Sequence, residues 1–363
     1  MDEKIYRIAL SYVPKVGSIT AKNLIAHCGS AKNVFQTSRK YLKKIPGIGD
    51  QIANSIKKEA TLVAAQKEYD YLLSHNIQLL CHDDSSFPKR LLHFQDSPFL
   101  LFLKGNINLN TEKIVAIVGT RQPSHYGHHV CERIIEELSD QGILFVSGLA
   151  YGIDTIAHKK CNALKIPNVA VLGHGLNTIY PASHRQVANE IVKTGGLLSE
   201  YPSQVGPERE HFPMRNRIIA GMCDALLVVE TALKGGSIIS AEIANSYHKD
   251  IFAVPGRIND AKSAGCNHLI KKHKAALIED GTDLIELMGW SPQTVSKQKS
   301  LFPDLDDQEK LLLDIIKNNS SCSTDFLAYQ CNLSLSKLKI YLIGLECKGM
   351  IQSVAGNRYI TLS

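Results

Sequence analysis

The stretch "IVAIVGTRQPSHYGHHV" (residues 114–130) decides the fold. Five apolar residues running into Gly-Thr mark a buried parallel strand and its turn, as at the start of a nucleotide-binding βαβ unit. The dinucleotide pattern G-x-G-x-x-G is missing. In its place stand Gly119-Thr120-Arg121 and then Tyr126-Gly127. An arginine in such a turn brings a permanent cation with several N–H donors, which suits a phosphate held without a bound cofactor.

The same alternation of apolar strands and helical stretches runs to about residue 285. Strands are expected at "KIVAIVG", "GILFVSG", "NVAVLG", "GLLSEY", "ALLVVE", "DIFAVPG" and "AALIED", with helices such as "GIDTIAHKKCNAL" and "GSIISAEIANSYHK" between them. This predicts an α/β domain over 81–290 built on an extended Rossmann-like parallel sheet, with its ligand crevice at the strand C-termini. Residues 81–112 are expected to be an extended lead-in lying on that sheet. Ahead of it, "YVPKVGSITAKNLI" (12–25) and "KIPGIGDQIANSIK" (44–57) repeat one pattern at an offset of 32 residues. The pattern predicts a helix-hairpin-helix (SAM-like) helical domain over 1–80, whose glycine turns can offer N–H groups to a DNA phosphate. The second copy has the full Pro46-Gly47-Ile48-Gly49 turn; Lys15 replaces the leading glycine in the first, which can be structural. A polar linker is expected at 291–304, then three helices and a hairpin over 305–363 that form a winged-helix domain.

Composition narrows the function classes. No apolar run is long enough for a membrane span, and the first residues have no signal-peptide pattern, so a soluble cytoplasmic protein is expected. The nine cysteines are scattered singly, with no C-x-x-C pair, and are expected to be reduced. Residues 1–80 hold twelve Lys or Arg against six Asp or Glu, which is the whole of the chain's +6 charge. A basic module on a neutral body suggests an anionic partner. The last 60 residues are slightly acidic, six basic against seven acidic, which favours protein contact there over DNA.

Four segments should converge at the strand ends. They are Gly119, Thr120 and Arg121 with Tyr126; Ser147, Gly148 and Gly152 ahead of Asp154; Arg209, Phe212, Arg215, Asn216 and Arg217; and Lys234, Gly235, Gly236 and Ser237. Glycine turns give close approach and free amides, arginines give bidentate donors, and Phe212 and Tyr126 can stack on unpaired bases. That is more than one mononucleotide phosphate needs and suits a polyanionic backbone. Arg215 and Arg217 could instead pair with Glu200, Asp224 or Glu230 inside the fold. His125, His128 and His129 lack further ligands at standard metal spacing, so no metal and no cofactor is expected.

At these residues the chain resembles the DNA-processing protein A family (DprA, also called Smf). The signatures G-[ST]-R-x(4)-Y-G, S-G-x-A-x-G-I-D, F-P-x-R-N-R-I-I-A-G, G-G-S-x-x-S-A, F-A-V-P-G and S-x-G-x-N-x-L-I fall in order between Gly119 and Ile270. The resemblance implies a homodimer that binds single-stranded DNA during natural transformation and loads the RecA recombinase onto it. It also implies DNA contacts at Arg121, Arg209, Phe212 and the Lys234-Gly235 region. A rival resemblance is to nucleotide phosphoribohydrolases, whose P-G-G-x-G-T-x-x-E loop carries a catalytic glutamate. Glu242 sits at that position, but Lys234, Ile238 and Ile239 replace the proline and the Gly-Thr pair, so no enzymatic role is expected.

Overall fold

The computed structural model describes residues 2–56, 59–290, 305–319, 321–354 and 356–361. They fall into two units, Met1–Gly289 and Trp290–Ser363. The linker expected at 291–304 lies outside the described residues.

Unit one begins with six helices, Glu3–Tyr12, Ser18–Cys28, Ala31–Gln36, Arg39–Leu42, Asp50–Ile56 and Glu59–Ser74 (α1–α6). Asp2, Ser30 and Ser38 cap α1, α3 and α4 by accepting first-turn N–H groups. The repeat is visible in the backbone: Lys15 (φ 65°) and Gly47 (φ 83°) take the same left-handed conformation in equivalent turns. Lys15 Nζ reaches Gln51 Oε1 at 2.8 Å, tying the two hairpins together. The hairpins face different surroundings. The start of α2 turns towards the sheet, where the Phe99 amide donates to Ser18 Oγ at 3.2 Å. Gly47 and Gly49 stay exposed, beside a 2.7 Å ion pair between Lys43 and Asp50.

Nine strands follow: Ile77–Cys81, Leu100–Gly105, Lys113–Val118, Ile143–Ser147, Asn168–Leu172, Gly196–Ser199, Ala225–Val228, Asp250–Ala253 and Ala276–Leu277 (β1–β9). They form one sheet in the order β1-β2-β6-β5-β4-β3-β7-β8-β9. The seven strands expected from the sequence are all present and pair in parallel. Helices His125–Glu137, Ile153–Leu164, Arg185–Thr194, His211–Met222, Gly236–Ser246 and Ala264–Lys271 (α7–α12) connect them, and Gly281–Leu287 (α13) follows the last. The segment expected to lie on the sheet instead extends it. β1 and β2 add an antiparallel pair beside β6, and residue 80 falls inside β1. The cause is the run Leu100–Leu103, buried on both faces: Leu100 and Phe102 enter one core, Leu101 and Leu103 the other.

The first core joins the N-terminal helices to the sheet, with Ile8, Leu24 and Leu42 in one cluster with Phe102, Leu172 and Leu197. Glu68 on α6 fastens this junction. It is 3% exposed and accepts from the Ser203 amide at 2.8 Å and the Ser203 hydroxyl at 2.6 Å, with Tyr12 OH at 3.3 Å.

Unit two contains helices Asp307–Lys317, Thr324–Gln330 and Leu335–Cys347 (α14–α16) and strands Cys322–Ser323, Ile351–Val354 and Arg358–Thr361 (β10–β12), paired antiparallel in the order β10-β12-β11. Leu312, Ile316, Leu327, Leu338, Leu342 and Ile351 form its core. Asp306 and Glu309 make a reciprocal capping box on α14, and Lys348 Nζ holds Glu309 at 2.6 and 2.7 Å. No described helix is long and apolar enough to cross a membrane.

Because the helices and the sheet share one core, Glu68→Ala should destabilise both in a single transition. The orphaned Ser203 donors should cost about 1–3 kcal/mol. Hydrogen exchange in urea, read at amides of α1–α6 and of β2, β5 and β6, checks this; helix and sheet amides losing protection at different urea concentrations would contradict the shared core.

Candidate nucleic-acid interface

β3 lies between β4 and β7, so the strand order reverses there and a crevice opens beyond the carboxyl ends of β3, β4 and β7. It encloses about 660 Å³ and brings together Thr120, Arg121, Asp154, Arg209, Phe212, Arg215, Asn216, Gly235 and Ser237. Gly119 and Gly236 line it too, whereas the other expected residues lie elsewhere. Ser147 is 2% exposed and its hydroxyl donates to Ile117 O at 2.6 Å, stitching β4 to β3. Tyr126 does not line the crevice; its hydroxyl donates to Pro255 O at 2.8 Å, which leaves its ring half-exposed beside the turn after β8. Lys234 is exposed just outside the lining.

Helix geometry sorts the arginines of "HFPMRNRIIAG". On α10, Phe212, Arg215, Asn216 and Ile219 share one face by their i, i+3, i+4 and i+7 spacing, and all four line the crevice. Arg217 lies off that face. It forms an ion pair with the Glu200 carboxylate and donates to Asp96 O at 2.6 Å, so the pairing raised as an alternative in the sequence holds for Arg217. Burial pushes Glu200 up and the Arg217 charge opposes it. Asp224 is taken by Arg90 at 2.7 Å.

Arg215 is 5% exposed and also serves the fold. Its guanidinium donates to Gly148 O at 2.7 Å and to Val171 O, linking α10 to the ends of β4 and β5. A Cβ at Gly148 would come within 2.6 Å of that guanidinium, which is why this position is glycine. Burial pulls Arg215 down to about 10, so it stays charged near neutrality, supported by nearby Asp154.

Two buried carboxylates serve backbone donors in the turns that lead into α7 and α8. At α7, the Glu230 carboxylate, 1% exposed, accepts from Ser124 N at 2.8 Å and Ser124 Oγ at 2.7 Å. At α8, the Asp154 carboxylate accepts from the amides of Gly148 at 3.1 Å and Ala150 at 3.4 Å. These amides, expected to face an external anion, therefore serve Asp154. Burial pushes Asp154 up, against the pull of Arg215 and the two amides. Gly152 is needed here for contact: at φ 80° a Cβ would lie 2.2 Å from Thr120 O. α8 and α11 both start at glycine N-caps, Gly152 and Gly235, with no side-chain cap. At α11 the amides of Gly236 and Ser237 have no acceptor among the described residues. The Ser237 hydroxyl, on a residue 6% exposed, has no hydrogen-bond partner among the described residues. Free amides, an orphan hydroxyl and the positive end of the helix dipole make a ready anion seat.

At the mouth, Arg121 and Arg209 are exposed and make no hydrogen bond or ion pair with described residues. Sequence reasoning missed Tyr180, whose half-exposed ring also lines the crevice. Its only signal was an aromatic residue in the loop after β5. Glu242 is exposed on the outer side of α11, held by Lys274 Nζ at 2.7 and 2.8 Å, and does not line the crevice. The described residues contain one group with metal-ligand types, Cys81, Asp83 and Asp84, and there Arg7 pairs with Asp83.

A family model described as DNA recombination-mediator protein A matches residues 78–289, and a helix-hairpin-helix motif matches residues 8–59. Protein Smf of Synechocystis sp. is 30% identical, covering 99% of this chain and 98% of its own. The X-ray structure of DNA processing protein A from Streptococcus pneumoniae aligns with a TM-score of 0.64 at 31% identity, over 79% of this chain and 97% of that one. A DNA processing protein A from Helicobacter pylori, whose structure concerns its own single-stranded DNA binding mode, aligns with a TM-score of 0.54 at 31% identity, over 58% and 95%.

His158, buried behind this site with Nδ1 2.8 Å from Asn168 Oδ1, is pulled down to about 4 by burial. The unfolded value is near 6.5, so the unfolded chain binds the extra proton first, and stability present above that pH is lost as pH falls towards 4. Between pH 7 and 4.5, His158→Gln should lose less stability than the parent by about 2 kcal/mol. Urea midpoints at the two pH values measure this, and equal losses would refute the assignment.

Proposed function

The chain belongs to the DNA recombination-mediator protein A family, and on that footing we propose that its crevice binds single-stranded DNA without strong base preference. The observation that carries this reading is the open N-terminus of α11. Among the described residues its Gly236 and Ser237 amides have no acceptor and its Ser237 hydroxyl no partner, while Glu230 holds the Ser124 N-cap of α7 and Asp154 holds the Gly148 and Ala150 amides ahead of α8. One strand phosphate sits there, Arg121 and Arg209 hold its neighbours, and Phe212 offers a face to an unpaired base. None of these groups reads a base edge, which supports sequence-tolerant binding. The single-stranded DNA described for the H. pylori relative supports the same ligand.

The finer parts of the proposal follow from the family. A recombination mediator presents its strand to a recombinase, which makes loading of RecA during natural transformation, by a cytoplasmic homodimer, the role that fits. The three helices and three short strands of unit two fit a winged helix. Ile340 and Ile343 on α16 are 70% and 59% exposed, which favours protein contact over phosphate for that module. Against an enzyme stands Glu242, paired with Lys274 outside the crevice.

Arg121→Ala and Arg209→Ala should each weaken oligothymidine binding by about 1.5–3 kcal/mol and lower the slope of log affinity on log salt by about one. Ser237→Ala should weaken binding with little change of slope, and Glu242→Ala should leave it as it is. Anisotropy titrations at several salt concentrations check this. Unchanged affinity in both arginine variants, or nucleoside-monophosphate hydrolysis abolished in Glu242→Ala, would overturn the reading.

A further inference from the structure

We infer that Tyr180 forms, with Phe212, a two-ring step that makes binding depend on unpaired bases and so sets the preference for single over double strands. The inference rests on the reading of the crevice as a single-stranded DNA site. The rings lie 5.7 Å apart between centroids, inclined at 37°, and both line the crevice that holds Arg121 and Arg209. This is contact distance between the rings. A base therefore stacks on the outer face of the pair, not between its members. Phe212 is backed by the chain at Gly173, where a Cβ would come within 3.2 Å of its ring. Tyr180 supplies the open area, with 49% of the residue exposed.

An exposed tyrosine on a loose loop would be an ordinary surface residue, but this loop is fixed. The Tyr180 amide donates to His174 Nε2 at 3.3 Å, which places the ring proton on Nδ1, facing Gly175 O at 2.9 Å. His174 is 1% exposed, its carbonyl accepts from Ser199 Oγ at 2.7 Å, and the Gly175 amide donates to Val205 O at 2.8 Å. The ring is thus carried on a buried hydrogen-bonded frame and loses little freedom when a base settles on it. Bases within a duplex turn their edges to their partners and have their faces covered by stacked neighbours, so they cannot reach such a step, whereas the phosphate seat at α11 and the mouth arginines are available to either form.

The test uses the full chain with four probes of equal length: oligothymidine, a mixed-sequence single strand, its duplex, and an abasic deoxyribose-phosphate oligomer. Tyr180→Ala should weaken binding to the two base-bearing single strands by about 5- to 100-fold. It should leave the abasic oligomer and the duplex within twofold of the parent, so that the single-strand preference narrows by the same factor. Tyr180→Phe should restore both affinity and preference, and Arg209→Ala should weaken all four probes. A Tyr180→Ala protein that binds oligothymidine like the parent, or that loses the abasic oligomer equally, overturns the inference while leaving the phosphate site standing. A parent protein that binds none of the probes removes the site reading itself, and the inference with it.

Discussion

The buried guanidinium of Arg215 is the constraint on which the crevice depends. It draws the carbonyls of Gly148 and Val171 towards one helix and faces Asp154, which in turn holds the Gly148 and Ala150 amides. The ends of β4 and β5, the start of α8 and the first turns of α10 are thereby fixed to one charge. A buried charge of this kind is costly unless every neighbouring lone pair answers it, and here backbone carbonyls do so together with Asn216 Oδ1 at 3.1 Å.

Around this hub the basic residues divide by environment. Arg90 and Arg217 close ion pairs with Asp224 and Glu200 and join distant parts of the chain. Arg215 braces strand ends. Arg121 and Arg209, exposed at the rim, keep their charge uncommitted among the described residues. The same division applies to the acids: Glu230 and Asp154 satisfy internal donors, Glu242 sits outside on Lys274. What remains facing the ligand is positive and rich in donors, because the fold has used its carboxylates on its own amides.

Much of this was legible in the sequence, for physical reasons that can be named. Parallel strands buried on both faces are near-continuous apolar runs, so β3 to β8 stand out by their apolar residues, while β9 is a two-residue exposed edge strand read from its place in the alternation. β1 and β2 were hidden because their lead-in is punctuated by prolines and polar residues, and an antiparallel edge pair has no connecting helix to announce it. The four site segments were found by their glycines and arginines, but residue type could not tell Arg217 from Arg209. That distinction needed the helical phase of α10, which carries Arg217 away from the crevice face. Ser147 and Tyr126 looked like ligand groups because a hydroxyl's partner, here Ile117 O or Pro255 O, lies far off in sequence. Tyr180 was missed because a single aromatic residue in a loop has no periodicity to mark it.

The carboxylate that Asp154 places among the amides of the β4–α8 turn has one more effect. That turn carries its own acceptor, so its shape owes nothing to whether an external anion is present, and dissolved salt has no vacancy there to compete for. Ionic strength therefore acts on the rim, where the guanidinium groups meet solvent, and spares the architecture beneath it. Grip on a ligand and integrity of the fold are governed by separate sets of charges, and one can be tuned through a wide range of salt while the other stays put.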